Sequence, residues 1–453
     1  MTSTNLPKGW VYTKLGCIAN FKNGINFIKN QKQEDGILTI DVLNMYSKNI
    51  FIPLKNLYRV NKKINNDYFL KYGDILFVRS SVKREGVGWA SAFREINEPV
   101  TFCGFIIRCR LKCEEIIPEF VTYFLRKKTT RELIINKSSQ VTITNISQSS
   151  LKEILIPLPP LNEQKRIVEK IEELYSILDA GIAAMERVLE KIKNYRRIVL
   201  KHAFAGKLTE KWREKNKDQL ELDYSSIVNK IPKGWILGRL GDFSSLITKG
   251  ESPKWQGFNY VDEGILFIRS ENVLWGKLNI SNALKIPLEF HSKLKRSQVK
   301  ANDVLINLVG ASIGRCCVAP LNISELNINQ AVALIRTKNE VYQTYLMYFL
   351  ISPESQKKIQ EGKVETARAN ISLTDLKSFI IPIPKIKEQK KIVEEIESRF
   401  EKADRVEQVV KGCLKKAGAI RQSILKKAFS GQLVPQDPSD EPAEKLLKKI
   451  QPR

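Results

Sequence analysis

Histidine is almost missing from this chain. His202 and His291 are the only two in 453 residues, and their contexts are unrelated, so no histidine-centred metal or base site is expected. None of the seven cysteines forms a Cys-x-x-Cys pair. Cys109 and Cys113 are four apart, Cys316 and Cys317 are adjacent, and neither pair has a histidine nearby. Zinc and redox chemistry are therefore poor readings; reduced core thiols in a cytoplasmic chain are the expectation. No run of about 18 apolar residues exists to span a bilayer, and Met1 to Trp10 lacks an apolar signal core. Cofactor signatures are missing too. Adenine methyl transfer needs a Gly-rich cofactor loop and an Asn/Asp-Pro-Pro-aromatic turn, and Leu158-Pro159-Pro160-Leu161 has neither the amide nor the aromatic. Gly86-Val87-Gly88 and Gly310-Ala311-Ser312-Ile313-Gly314 lack the Lys-Ser/Thr of a Walker loop and read as turns. Glu163-x-Lys165 and Glu388-x-Lys390 match half of a nuclease motif. They open a helix after prolines, though, where a solvated helix face is the better reading.

Acid is also scarce. Against 75 Lys+Arg stand 49 Asp+Glu, a formal net charge of +26. Such an excess points to a polyanion, nucleic acid before an acidic membrane surface. The apolar fraction of 43% and charged fraction of 27% are those of an ordinary globular protein. The length allows two or three domains, each with its own core.

What the chain has in abundance is itself, twice. Ile156-Pro157-Leu158-Pro159 returns as Ile381-Pro382-Ile383-Pro384, and Glu163-Gln164-Lys165 as Glu388-Gln389-Lys390, each 225 positions on (388 − 163 = 225). The same offset relates Pro7-Lys8-Gly9-Trp10 to Pro232-Lys233-Gly234-Trp235, and Ala203-Phe204-Ala205-Gly206 to Ala428-Phe429-Ser430-Gly431. A domain-sized repeat makes the chain behave as a covalently tied dimer and suggests a target in two parts. In each half, short apolar runs bounded by Gly, Asp and Asn predict strands, as at Gly73–Val78 and Asn302–Ile306, and a helix follows around Tyr123 and Tyr348. A mixed α/β domain of about 150 residues should therefore open each half.

Beyond each proline-rich joint the apolar period changes to alternating three- and four-residue steps. Ile171, Leu174, Leu178, Met185, Val188 and Ile192 mark one stripe, and Ile396, Val406, Val410, Ile420 and Ile424 the other. Each stripe predicts a helix of about 40 residues, roughly 60 Å long. Each helix is the obvious partner of the other. An antiparallel pairing would put the two domains at opposite ends of a rod; a parallel pairing, or a seam for another subunit, competes with it. Asn162 is a candidate N-cap, and Gly206 and Gly431 are candidate C-terminal caps.

On these residues the chain resembles the specificity subunits of type I restriction–modification systems. The segment Ile156-Pro157-Leu158-Pro159-Pro160-Leu161-Asn162-Glu163-Gln164-Lys165-Arg166-Ile167-Val168 carries the likeness, and residues 381–393 repeat it with Lys385 in place of the second proline of the pair. Leu15-Gly16 and Leu240-Gly241, Gly73-Asp74-Ile75-Leu76 and Asn302-Asp303-Val304-Leu305, and the tail Asp437–Glu444 match as well. The resemblance implies an α/β fold with two target-recognition domains separated by two long antiparallel helices and related by an internal pseudo-two-fold repeat. The domains would be 1–158 and 223–383, with helix one and a linker over 159–222, and helix two and the tail over 384–453. Each domain would read one half of an interrupted, asymmetric sequence in double-stranded DNA, and the helices would set the gap. The resemblance further implies two modification (methyltransferase) subunits that use S-adenosylmethionine, and restriction subunits that use ATP and Mg²⁺. No cofactor, metal or membrane is expected on this chain, and no catalysis of its own.

Candidate DNA contacts are Arg79, Ser80, Lys83 and Arg84 in a basic turn, with Thr142 and Asn145 before the first joint. In the second half they are Lys249, Lys254 and Trp255, then Arg269 and Arg315, with Arg368 and Asn370 before the second joint. Arg suits guanine and phosphate, Asn suits adenine. These loops are where the repeat fades while joints and helices persist. Two readers of different half-sites would produce that pattern; two copies of one enzyme would not. The competing readings are a DNA methyltransferase or nuclease with an unrecognised site, and a two-headed protein scaffold.

Overall fold

Gly73-Asp74 and Asn302-Asp303 show how the local sequence builds both halves. Gly73 and Asn302 each take a left-handed conformation, at φ +80° and +68°, a backbone region that glycine and asparagine tolerate best. The turn aims the following aspartate inward. Asp74 receives two bonds of 2.7 Å from Arg110, and Asp303 receives bonds of 2.8 and 2.7 Å from Arg336. Both aspartates are buried. The computed structural model describes residues 6–28, 31–33, 35–140, 143–216, 231–232, 234–322, 325–361 and 370–450. Two compact units emerge: Met1–Met185 with Gly412–Arg453, and Glu186–Lys411.

In unit 1 an antiparallel sheet runs in the order Ala19–Asn23, Ile106–Leu111, Ile75–Val78, Ala90–Ala92. A second sheet orders Lys32–Gln33, Tyr58–Val60, Ile37–Ile40 and Val100–Phe102, the last two parallel. Unit 2 repeats the plan. Ser244–Lys249, Val332–Thr337, Val304–Asn307 and Cys316–Val318 form its antiparallel sheet. Its second sheet contains Ile265–Ile268 parallel to Leu326–Ile328. The helix Pro118–Arg126 buries Phe120, Tyr123 and Phe124, and the helix Gln343–Leu350 buries Tyr345 and Phe349. The proline joints are strands of two-stranded ribbons: Leu155–Leu158 pairs with Val11–Lys14, and Ile380–Ile383 with Ile236–Arg239. A proline lacks the N–H that a central strand would need, and a two-stranded ribbon leaves an edge free for it.

The long helices are Leu161–Phe204 (α1) and Ile386–Ala428 (α2), of 44 and 43 residues. Because α1 begins at Leu161, Asn162 lies in its first turn and does not cap it. Gly206 and Gly431 do adopt the left-handed conformation of a C-terminal cap, with Lys207 and Gln432 N–H groups bonding back to His202 and Lys427 carbonyls. In unit 1, Ile167, Val168 and Ile171 share a core with Leu425, Ala428 and Phe429, and Tyr175 donates to the Arg421 carbonyl at 3.3 Å. In unit 2, Val199, Leu200 and Ala203 share a core with Ile392, Val393 and Ile396. Rising numbers on α1 meet falling numbers on α2 in both, so the pairing is antiparallel.

The seam differs from the expected one at two positions, both on α2. Ile171, Leu178, Met185, Ile192, Ile396, Val410 and Ile424 are buried or half-buried, and Leu174 and Val188 are half-buried. Val406 and Ile420, however, are 49% and 46% exposed. Their neighbours Glu407 and Arg421 are half-buried instead, as is Arg196 on α1. The physical reason is ionic. Arg196 reaches Asp404 and, at 2.7 Å, Glu407, and its guanidinium lies over Phe400. Arg421 pairs with Asp179 and lies over Tyr175 at 4.6 Å. A long arginine stem buries carbon while its head stays paired. Counting apolar residues therefore chose Ile420 and Val406 where the helices use Arg421 and Glu407.

Candidate DNA interface

The frame of the site is set at the start of each long helix. Trp10 Nε1 donates to Glu163 at 2.9 Å, and Trp235 Nε1 to Glu388 at 3.1 Å. Gln164 accepts from the Ile117 N–H at 2.9 Å and donates to the Pro159 and Glu115 carbonyls. Gln389 accepts from Tyr342 at 2.7 Å and donates to the Pro384 and Glu340 carbonyls. Each of these partners is displaced by 225 from its counterpart (342 − 117 = 225). The four Glu and Gln side chains are buried, so the solvated helix face expected for Glu163 and Glu388 holds only for Lys165 and Lys390 beside them, which are exposed. They tie each domain to its helix, satisfying groups that burial would otherwise leave costly. Burial pushes the Glu163 carboxyl above its usual range. Aromatic contacts repeat as well. Phe429 meets Phe120 and Phe124 edge-on at 5.1 and 5.2 Å, and Phe204 meets Tyr345 and Phe349 at 5.3 and 5.2 Å.

On this frame unit 1 gathers most of its candidate contacts. Ser80–Ser81 pairs with Thr144–Asn145, placing Asn145 opposite Ser80, and the Ser80 hydroxyl bonds the Asn145 side chain. Arg79 is exposed beside them, its N–H bonded to the Phe105 carbonyl at 2.7 Å. Lys83 and Arg84 are exposed on the same turn. Thr142 lies outside the described residues. Under the turn, Arg131 donates to the Glu85 and Val87 carbonyls at 2.8 Å each, so Gly86-Val87-Gly88 is held as a structural turn.

Unit 2 disperses its candidates. Asn370 is exposed and bridges Val309, next to the Gly310–Ser312 turn that leads to half-buried Arg315. The side chain of Asn307 ties this region to the Ser270 carbonyl at 2.8 Å, beside Arg269. Arg269 itself is paired with Glu271, which reduces its freedom to meet an anion. Lys249 ends its strand, and Lys254 and Trp255 occupy the 3₁₀ turn Pro253–Gln256, with Trp255 78% exposed. Arg368 lies outside the described residues. Asn145 and Asn370 occupy matching places, since the N–H of the next residue bonds the Arg79 carbonyl in one unit and the Leu308 carbonyl in the other.

No helix among the described residues is long and apolar enough to cross a membrane. Also among the described residues, no group of three or more His, Cys, Asp or Glu side chains could hold a metal ion.

A repeated α/β domain, carried on a buried Trp–Glu and Gln–carbonyl frame and followed by a long helix, defines a class of protein. The family of the type I restriction modification DNA specificity domain matches residues 7–193 and 232–409, and the chain belongs to that family. The EcoBI type I restriction enzyme specificity subunit of Escherichia coli is 29% identical over 98% of this chain and 92% of its own length. The EcoKI specificity subunit of Escherichia coli K12 is 28% identical over 99% and 96%. Two solved chains share the fold. One, from work on complex assembly and conformational transition of the type I R-M system, has a TM-score of 0.63 at 21% identity, covering 94% of this chain and 99% of that one. The HsdS subunit from Thermoanaerobacter tengcongensis has a TM-score of 0.56 at 20% identity, covering 95% and 100%.

Proposed function

We propose that this chain selects DNA for a type I restriction–modification assembly, its two domains each reading one half of an interrupted, asymmetric site. The observation that carries this is the contrast between frame and loops. The Trp–Glu, Gln–carbonyl, Arg–Asp and Phe contacts recur in both units. The turns differ: Arg79-Ser80-Ser81-Val82-Lys83-Arg84 in one unit, with Arg79 and Val82 to Arg84 exposed, and Leu308-Val309-Gly310-Ala311-Ser312 in the other, with Gly310 and Ala311 exposed. Identical frames with different reading surfaces suit two different half-sites. Arg79, Lys83 and Arg84 would meet phosphates or guanine, and Asn145 and Asn370 would meet adenine edges. Chemistry belongs to partners: two modification subunits carrying S-adenosylmethionine, and restriction subunits using ATP and Mg²⁺, in the cytoplasm. The test is to incubate the pure chain with DNA, S-adenosylmethionine and Mg²⁺. Sequence-selective binding with no methyl transfer and no cleavage is expected; turnover by the pure chain would overturn the proposal.

A further inference from the structure

Beside the Arg79–Arg84 turn, unit 1 carries a hollow of about 740 Å³ with a mostly apolar lining. Leu43 and Val82 are both 86% exposed at it, and Phe105, Ile143 and Tyr46 are each more than two-fifths exposed. Single exposed apolar residues need no explanation, but five large ones from four chain segments around one hollow do. They are also held in place. Leu43 sits in the 3₁₀ turn Val42–Met45, capped by Asp41 and Asn44 through reciprocal bonds. Met45 is buried below it, its carbonyl bonded by Ser91 at 2.9 Å.

The surroundings are cationic. Arg126 donates to the Ala90, Ser47 and Asn49 carbonyls and the Ser91 hydroxyl, and Arg131 to the Glu85 and Val87 carbonyls. Both guanidinium groups lie over Trp89, a lining residue, at 4.7 and 5.5 Å. Among the described residues neither has a carboxylate within ion-pair distance, so two positive charges, Arg131 buried and Arg126 half-buried, stand under an apolar surface. Exposed Arg79, Lys83 and Arg84 add to them. The carboxylates present are Asp41, which pairs with Lys32 at 3.6 Å, and Glu85. An apolar protein face would meet uncompensated charge here. The DNA major groove offers negative potential together with one apolar group on its base edges, the 5-methyl of thymine.

We propose that this hollow seats thymine 5-methyl groups on the major-groove edge of one half-site, with Leu43, Val82, Phe105 and Ile143 as the side chains that read them. This rests on the DNA-reading role proposed above. The test selects preferred duplexes for the full-length chain from a random-sequence library, then replaces each thymine of the preferred site with uracil, which lacks only the methyl. Uracil should weaken binding about fourfold or more at one or more positions of one half-site, the worth of a buried methyl group. In Val82→Ser, whose site is too exposed to disturb folding, that sensitivity should fall below about twofold at the same positions. The other half-site should be unaffected. Indifference to uracil everywhere in a site that is otherwise selective would overturn the methyl reading and leave the DNA-reading role standing. No sequence preference at all would overturn the role itself. If Val82→Ser keeps its uracil sensitivity but loses capture of a modification subunit, the hollow is a protein-docking face and the proposal fails.

Discussion

Trp10 and Glu163 illustrate what single residues contribute. The carboxylate is enclosed, anchors an indole N–H, and belongs to the tie between domain and helix. Burial raises its proton affinity above the ordinary value of 4.5. A group raised in this way contributes stability that is full below its ordinary value and is lost as pH rises through the folded value. Glu163→Gln keeps an acceptor for Trp10 without the charge. Measured against that variant by urea unfolding, the native chain should lose relative stability as pH rises from about 4.5, then level off once the carboxylate is ionised. A pH-independent difference would mean that this ionisation is not linked to folding.

Among elements, the two long helices put the reading of apolar periodicity to its hardest test. Ala403 is buried and Val406 half exposed, so Ala403→Lys should cost several kcal/mol, about 3–5, and Val406→Lys within about 0.5. Equal losses would restore the apolar-only seam. Glu407 adds a pH signature of opposite sign to that of Glu163. Its bonds to Lys411 and Arg196 lower its proton affinity, so the stability it contributes is present above its ordinary value and lost as pH falls through the lowered one. Helix existence, length and glycine caps were legible because a three-four period and a repeat at fixed offset are strong signals, whereas the antiparallel direction came only with the family resemblance, since an apolar stripe serves a parallel pairing equally. The choice between Ile420 and Arg421 was not, since a paired arginine head over an aromatic ring is invisible to a hydrophobicity count. The burial of Glu163, and of Gln164 beside it, is hidden for a related reason. Charged and amide residues after a proline look solvated until their partners, Trp10 and the Ile117 N–H, are brought in from 153 and 47 positions away. The repeat of both residues at 388 and 389 was the available clue. The basic turn was legible, whereas the hollow beside it was not, because Leu43, Val82, Phe105 and Ile143 meet only through the fold.

For the whole molecule, the repeat makes each unit depend on distant sequence. Leu425, Ala428 and Phe429 lie in the core of unit 1 although they come from the end of the chain. A fragment ending near Leu222, a position outside the described residues, lacks them. It retains their equivalents Leu200, Ala203 and Phe204, which a second copy could supply. Light scattering should therefore find the fragment dimeric, and Phe204→Ala should dissociate it or cost about 3–5 kcal/mol per copy. A stable monomer would contradict this completion. Such a dimer should prefer a palindrome of the first half-site. Binding of the full assembly to duplex DNA should also weaken steeply with salt, by roughly 0.9 in log–log slope for each phosphate neutralised.

If the two domains read their half-sites independently, the methylation pattern of a host genome records it. Cells would express this chain, with its modification subunits, either unchanged or as the double substitution Arg79→Ala, Asn145→Ala. The native chain should give a methylated motif of two short blocks separated by a gap, their centres about 10 base pairs apart. The substituted chain should relax or lose one block and leave the other block and the gap unchanged. A single contiguous motif, or a substitution in unit 1 that alters both blocks together, would contradict the account.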